Sequence, residues 1–323
     1  MKKILITGGA GFIGSYLAEE LLRQGNEVVV IDNLATGRKA NIKHLRSNDL
    51  FTVHYHTILN RTLMDDLVFQ CDEVYHLAAP VGVKWIIEHP VQTILENIRG
   101  IDTVLDLANK YQKKILISSS SEVYGKHIEH TLREDDNRVM GSVRNHRWAY
   151  ANTKTLDEFL ALAYYKEKKL PTVIVRLFNT IGPRQTGQYG MVVPKFVKKA
   201  LQGEPISVYG DGTQSRSFTH VDDVVKAMIS LIRNPKAYGD VFNIGNGEEI
   251  TILELAKLVK KKTNSSSKIE FVSYDQAYGE GFEDMQRRTP DITKIKELIG
   301  YKPTLDIEGM LDQIIEYYKP KIS

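Results

Sequence analysis

ITGGAGFIGSYL, residues 6–17, places Gly8, Gly11 and Gly14 between two contrasting segments. The apolar run KKILIT (2–7) precedes them, and FIGSYLAEELLRQG (12–25), with helical spacing and a terminal glycine, follows. A run of β-branched and aliphatic residues predicts a buried strand, and the 3.6-residue periodicity predicts a helix. Glycines at G-x-x-G-x-x-G spacing permit a tight turn and a close approach of backbone amides to a pyrophosphate, which the positive end of the helix then favours. The next apolar run, EVVVIDN, ends at Asp32, an acid at the distance that suits the hydroxyls of an adenosine ribose. A carboxylate there repels a ribose 2′-phosphate, so the motif favours NAD over NADP. Arg38, a few residues on, softens that preference or is an ordinary loop arginine.

Outward from this turn the first half of the chain alternates strand-like and helix-like segments. EVYHLAA (73–79), KKILISS (113–119) and PTVIVRLF (171–178) read as strands. Helices are predicted over about 91–111 and over YANTKTLDEFLALAYYKEK (150–168). Such alternation implies crossover units and an α/β fold, a Rossmann-type doubly wound parallel sheet. After residue 184 the pattern loosens. Helices at about 221–233, 251–263 and 307–318, with the strand DVFNIG, suggest a smaller mixed α/β domain. The expected division is residues 1–179 plus about 217–244 for the dinucleotide-binding domain, and about 180–216 plus 245–323 for the second.

Composition narrows the classes. The 323 residues carry 43 basic and 40 acidic side chains, net +3, which argues against bulk nucleic-acid binding. One cysteine, Cys71, excludes an intrachain disulfide framework and reads as a small buried hydrophobe. The apolar N-terminal run is broken by glycines, and no segment approaches the roughly 20 apolar residues of a membrane span. A cytoplasmic protein without membrane contact is expected. KHIEH (126–130) lacks the further ligands of a metal site, so no metal is expected.

Two further stretches carry chemistry. YANTK places Tyr150 and Lys154 four residues apart, on one helical face, where an ammonium lowers a phenol's pKa and makes it a usable general base. ISSSSEVYG (117–125) sets four serines and Glu122 at the end of an apolar strand.

Together TGGAGFIG, SSSSEVYG and YANTK resemble, in order and spacing, the extended short-chain dehydrogenase/reductase family. The likeness continues through RLFNTIGPRQ, VYGDGTQSRSFTHVDD, FNIGNGEEIT and RRTPDITK, nearly the whole chain. It points to the group of nucleotide-sugar epimerases, dehydratases and decarboxylases and implies a bound NAD, a UDP-linked sugar and a homodimer. By that resemblance Tyr150 takes the proton of the sugar C4 hydroxyl, Lys154 binds the nicotinamide ribose, and Ser120 hydrogen-bonds the C4 oxygen. The implied cofactor wall comprises Gly8, Gly11, Phe12, Ile13, Gly14, Asp32, Asn33, Leu77, Ala78, Ala79 and Ser118, with Asn97 holding that region. Ser120, Ser121, Asn179, Val193, Tyr209, Arg216, Arg288 and Asp291 are implied for the substrate. Arginine suits a diphosphate, and tyrosine suits stacking on a base. One departure is HYHTILN (54–60), where Thr57 stands at a position that is commonly acidic.

The candidate reactions share oxidation at C4 and diverge afterwards. Dehydratases resembled here carry an Asp-Glu pair before VYG. This chain has Ser121-Glu122, which counts against 4,6-dehydration. TSEVYG is typical of UDP-glucuronate decarboxylases, which Glu122 favours, whereas APVGVKWIIEHP (79–90) and GPRQTGQYG (182–190) look closer to epimerases. Lys84 or Arg184 are candidates to meet a uronate carboxylate. The leading expectation is therefore NAD-dependent C4 epimerisation of a UDP-hexose or UDP-hexuronate. UDP-glucuronate decarboxylation is the alternative, 4,6-dehydration stands behind it, and a non-catalytic NAD-binding regulatory protein is the reading from a different class.

Overall fold

A computed structural model describes the chain except residues 81, 83–85, 87, 128–130, 189, 279–282 and 323; of residue 147 only the backbone is described. Its centre is a seven-stranded sheet. The strands are β1 (Lys3–Thr7), β2 (Glu27–Ile31), β3 (Phe51–His54), β4 (Glu73–His76), β5 (Lys114–Ser120), β6 (Thr172–Leu177) and, later in the chain, Asp240–Ile244. Their spatial order is β3-β2-β1-β4-β5-β6 with Asp240–Ile244 on the outside, and every pairing is parallel. Helices cover both faces, which is why β1, β2 and β4 are buried without alternation. On one face Ile4, Ile6, Val28 and Val30 pack under the helices Phe12–Arg23 and Val221–Ile232. On the other, Leu5, Val29, Val74 and Ile115 pack under Arg61–Gln70 and Pro90–Lys110.

The order reverses between β1 and β4. The loops leaving their carboxyl ends diverge there and open a crevice, the usual ligand position in such sheets. A third apolar cluster lies apart from the sheet. It is built by the helices Val192–Leu201, Ile252–Lys262 and Ile307–Ile322, with Val208 and Ile206 from a two-stranded parallel sheet. Ile295 and Tyr301, in contrast, pack with the first cluster against the main sheet. Two short ladders join the halves. Asn179–Ile181 pairs with Phe218–His220, and Ser215–Arg216 pairs in parallel with Arg287–Arg288. Among the described residues no helix is long and apolar enough to cross a membrane.

Candidate active site

The glycine turn shapes one end of a cavity of about 530 Å³. Gly8 has φ +75°, and a Cβ there would lie 2.8 Å from the Ala78 nitrogen on the neighbouring loop. A Cβ on Gly14 would lie 2.4 Å from the Gly8 carbonyl oxygen. Both positions therefore require glycine, and the helix Phe12–Arg23 begins hard against the cavity. Asp32, at the end of β2, is 7% exposed. Its Oδ2 accepts from the Ala10 amide at 2.9 Å and its Oδ1 from the Leu34 amide at 2.7 Å. Burial raises its pKa, and the backbone donors of Leu34, Ala10 and Gly11 oppose the rise. A cradle that only glycine fills, a helix N-terminus and a fixed carboxylate at the ribose position together fit a dinucleotide. Phe12, Ile13, Asn33, Leu77, Ala78 and Ala79 contribute to the same wall, as does Thr57.

The serine run distributes four hydroxyls to four places. Ser118 donates to the His76 carbonyl at 3.0 Å, tying β5 to β4. Ser119 donates to Glu158 Oε1 at 2.5 Å. Ser120 ends the strand. Its oxygen accepts from the Glu122 amide at 3.2 Å, and it lines the cavity together with Tyr150. Ser121 is buried and closes the wall. The 3₁₀ turn Ser121–Tyr124 is anchored by buried Val123 and Tyr124 and turns Glu122 into the cavity.

Tyr150 and Lys154 stand in the first two turns of the helix Ala149–Lys168. Tyr150 lines the cavity, but Lys154 is 1% exposed and its ammonium donates to Asp157 Oδ2 at 3.1 Å. The expectation of a phenol made acidic by Lys154 needs correction. Burial is the largest influence and raises the Tyr150 pKa. Lys154 lowers it, while Glu122 and Asp157 raise it again, and the net direction is up. Burial likewise pulls Lys154 down, but Asp157 and Tyr150 outweigh it, so the ammonium is held above its usual range.

Glu158, one residue beyond Asp157, is held in a fork by Arg176 of β6, at 2.9 and 2.8 Å. With Ser119 on its third side, it ties the helix to both β5 and β6. Two further implied residues, besides Lys154, lie off the cavity. Asn97 donates to Thr153 Oγ1 at 3.2 Å, joining helix Pro90–Lys110 to the helix that carries Tyr150. Asp291 accepts from the Thr293 amide at 2.8 Å and starts the helix Thr293–Ile299, so it is corrected from a substrate contact to a turn residue.

At the opposite end side chains meet across sequence. Arg216 and Arg288 are register partners in the parallel ladder, so two guanidinium groups point into one region. Arg288 forms an ion pair with Glu122 and donates to Asn179 Oδ1 at 2.5 Å. Arg216 donates to Asp284 Oδ2 at 2.9 Å. Burial lowers its pKa and Arg288 lowers it further, with Asp284 opposing. Tyr209 accepts a hydrogen bond from Lys195, whose ammonium also sits 4.5 Å from the ring centre. Val193 completes this wall.

Sequence reasoning missed Lys195 and Asp284. The apolar spacing of Val192, Val193, Phe196, Val197 and Ala200 is the signal that would have placed Lys195 on a helix. Arg184 lines the cavity, pairs with Glu19 at 2.6 Å and covers the Tyr16 ring at 3.8 Å. Lys84 lies outside the described residues, as does part of KHIEH (128–130). Among the described residues no group of three or more His, Cys, Asp or Glu is placed to hold a metal.

Comparison with known proteins agrees with this geometry. Residues 5–314 match the GDP-mannose 4,6 dehydratase family. A UDP-N-acetyl-alpha-D-glucosaminuronate decarboxylase of Bacillus cytotoxicus is 42% identical over 98% of both chains. UDP-glucuronic acid decarboxylase 1 of Danio rerio is 38% identical over 99% of this chain and 73% of its own. Among solved structures, a UDP-glucuronic acid 4-epimerase of Bacillus cereus, in complex with UDP-glucuronic acid and NAD, superposes with a TM-score of 0.89 at 31% identity over 99% of each chain. The more similar sequences are named decarboxylases, which overturns the expected epimerisation. An epimerase shares the fold at lower identity. The chain belongs to the NAD-dependent nucleotide-sugar epimerase, dehydratase and decarboxylase group of the extended short-chain dehydrogenase/reductase family.

Proposed function

We propose that the chain removes the C6 carboxyl group of a UDP-linked hexuronic acid through a transient 4-keto sugar. The observation that carries this reading is the Glu122–Arg288 ion pair in the turn directly after Ser120, with buried Ser121 where dehydration needs an acid. A sugar whose C4 hydroxyl meets Ser120 and Tyr150 has C5 and C6 one and two bonds away, within reach of that pair. Bound in the glycine cradle, NAD supplies a hydride acceptor for C4–H and later a hydride donor.

Tyr150 takes the C4 hydroxyl proton as the ketone forms, and Ser120 holds that oxygen. The carboxylate is then β to a ketone. The C5–C6 bond breaks, its electron pair spreads onto the C4 oxygen, and carbon dioxide leaves. Glu122 repels a neighbouring carboxylate and so disfavours its retention, and the Arg288 cation stabilises the negative charge that builds on the ring. A proton from water adds to C5 in place of the lost carboxyl group, and Tyr150 returns its proton to the C4 oxygen as C4 is reduced. Arg216 suits the diphosphate, and Tyr209 and Lys195 suit the base.

The relatives' names support both a 2-hydroxy and a 2-acetamido sugar. Separate incubations with UDP-glucuronate, UDP-N-acetylglucosaminuronate and UDP-glucose, followed by proton NMR and carbon dioxide capture, test the reading. Loss of the carboxyl group from one uronate is expected. A C4-inverted product that keeps its carboxyl group, or no turnover of either uronate, sinks it.

The reading includes a homodimer. Val91, Leu95 and Ile98 form an exposed apolar stripe on helix Pro90–Lys110. Leu156 and Phe159 form another on Ala149–Lys168, the helix that packs beside it. A second copy of the same helix pair would cover both stripes. Sedimentation should give twice the monomer mass, and Phe159→Glu should return the monomer.

A further inference from the structure

Lys154 occupies an unexpected place for a residue whose partner is to be a ligand hydroxyl. It shares a helical face with Tyr150, yet its ammonium is turned inward to Asp157 and takes no part in the cavity wall. The contrast with the adjacent acid is sharp. Glu158 is satisfied by Arg176 and Ser119 and braces the fold. Asp157 is 1% exposed, makes its one ion pair to Lys154, and its Oδ1 is buried without a hydrogen-bond partner among the described residues. A buried carboxylate held through one oxygen is not built for stability, because the unpartnered oxygen is costly.

We propose that Asp157 is a positioning residue that keeps the Lys154 ammonium off the cavity wall and yields it when a ribose hydroxyl enters the cofactor cleft. The surroundings allow the exchange. On the same helix the facing groups are Tyr150 and Glu158, and Glu158 is engaged by Arg176 from β6. From β4, His76 is buried and neutral, pushed down to about 3 by burial, with Lys154 adding to the fall. From the 3₁₀ turn, Glu122 faces Tyr150 and is itself paired with Arg288. Asp157 is thus the acid paired with the ammonium. When Lys154 turns to a neutral hydroxyl, Asp157 takes up a proton, which its burial already favours, so no unpaired buried charge remains.

The consequence concerns timing. While Asp157 holds Lys154, its negative charge offsets the attraction that Lys154 exerts on a Tyr150 phenolate. Once Lys154 moves to the wall and Asp157 is protonated, that offset is gone, the Tyr150 pKa falls, and more of the side chain stands as the phenolate that can accept a proton. Filling the cleft therefore arms the residue that the cofactor needs.

This inference rests on Tyr150 and Lys154 acting as the proposed acid–base pair, but not on the identity of the sugar, and no sugar enters its test. Tyrosinate absorbance at 295 nm is titrated in the cofactor-free protein, and Tyr150→Phe identifies the Tyr150 step. Asp157→Asn should move that step down by about one pH unit, and Asp157→Glu should restore it, since a single nearby charge shifts a pKa by that order. A step unmoved in Asp157→Asn overturns the proposal. Should that variant not fold, ¹⁵N-lysine NMR of the wild-type chain decides, with Lys154→Arg identifying the signal. NADH should displace the Lys154 ammonium resonance, and a resonance that stays in place overturns the proposal equally.

Discussion

At the glycine end of the cleft the polar contacts are made by backbone. Asp32 is held by the amides of Ala10 and Leu34, and the turn is shaped by positions that admit no side chain. At the arginine end they are made by side chains far apart in sequence: Glu122 with Arg288, Arg288 with Asn179, Arg216 with Asp284. The first construction is local and rigid, and a single atom too many spoils it. The second is a set of charges that balance one another, so removing one partner exposes the other. The two ends should therefore fail differently when altered.

The largest expected effect falls between them. Tyr150→Phe removes the proposed proton carrier and should cut turnover by about 10³-fold, the scale of a lost general acid–base group. NAD content of the purified protein should stay unchanged, and its loss would place Tyr150 with the backbone-built half instead. At the arginine end Arg288→Met should lower kcat by about 10²-fold, as removal of one preorganised charge-stabilising donor does. Because it strands Glu122, the double variant Arg288→Met, Glu122→Gln should fold more stably than the single. A thermal melt that ranks them the other way would mean the pair is not coupled. At the glycine end Gly14→Ala must displace the Gly8 carbonyl. The expected result is protein purified without NAD but with near-normal affinity for a UDP-sugar, checked by calorimetry. Smallest is Asp32→Ala, which should weaken NAD binding about tenfold, the worth of one charge-assisted hydrogen bond, and narrow its advantage over NADP.

The same contrast governs what could be read from the sequence. Gly8, Gly11, Gly14 and Asp32 form one contiguous unit whose spacing encodes strand, turn and helix, so both the sheet and the dinucleotide cleft were legible there. Tyr150 and Lys154 were legible as a pair because four residues is one helical turn. Their electrostatics were not, because the dominant influence is burial, and Asp157 looks like any helical acid until its surroundings are known. The Glu122–Arg288 pair spans |i−j| = 166 and depends on a ladder of two-residue strands, too short to leave a periodic signal. Asp291 shows the opposite error: a motif match placed it in the site, while its carboxylate starts a helix. The proposed reaction needed both the Glu122–Arg288 pair and the relatives' names, since SSSSEVYG alone suits more than one outcome of the same ketone.

Ser118 to Ser121 are one letter repeated, yet each hydroxyl has its own address: a neighbouring strand, a buried acid, the amide of Glu122, the cavity wall. Deleting any one of them writes the same shortened sequence. The apolar frame of Ile115–Ile117 fixes the count from one side, and buried Val123 and Tyr124 fix it from the other. A chain one serine short would have to slip the strand or unwind the turn, and the repeat that looks most expendable in the sequence is the one whose length the site cannot change.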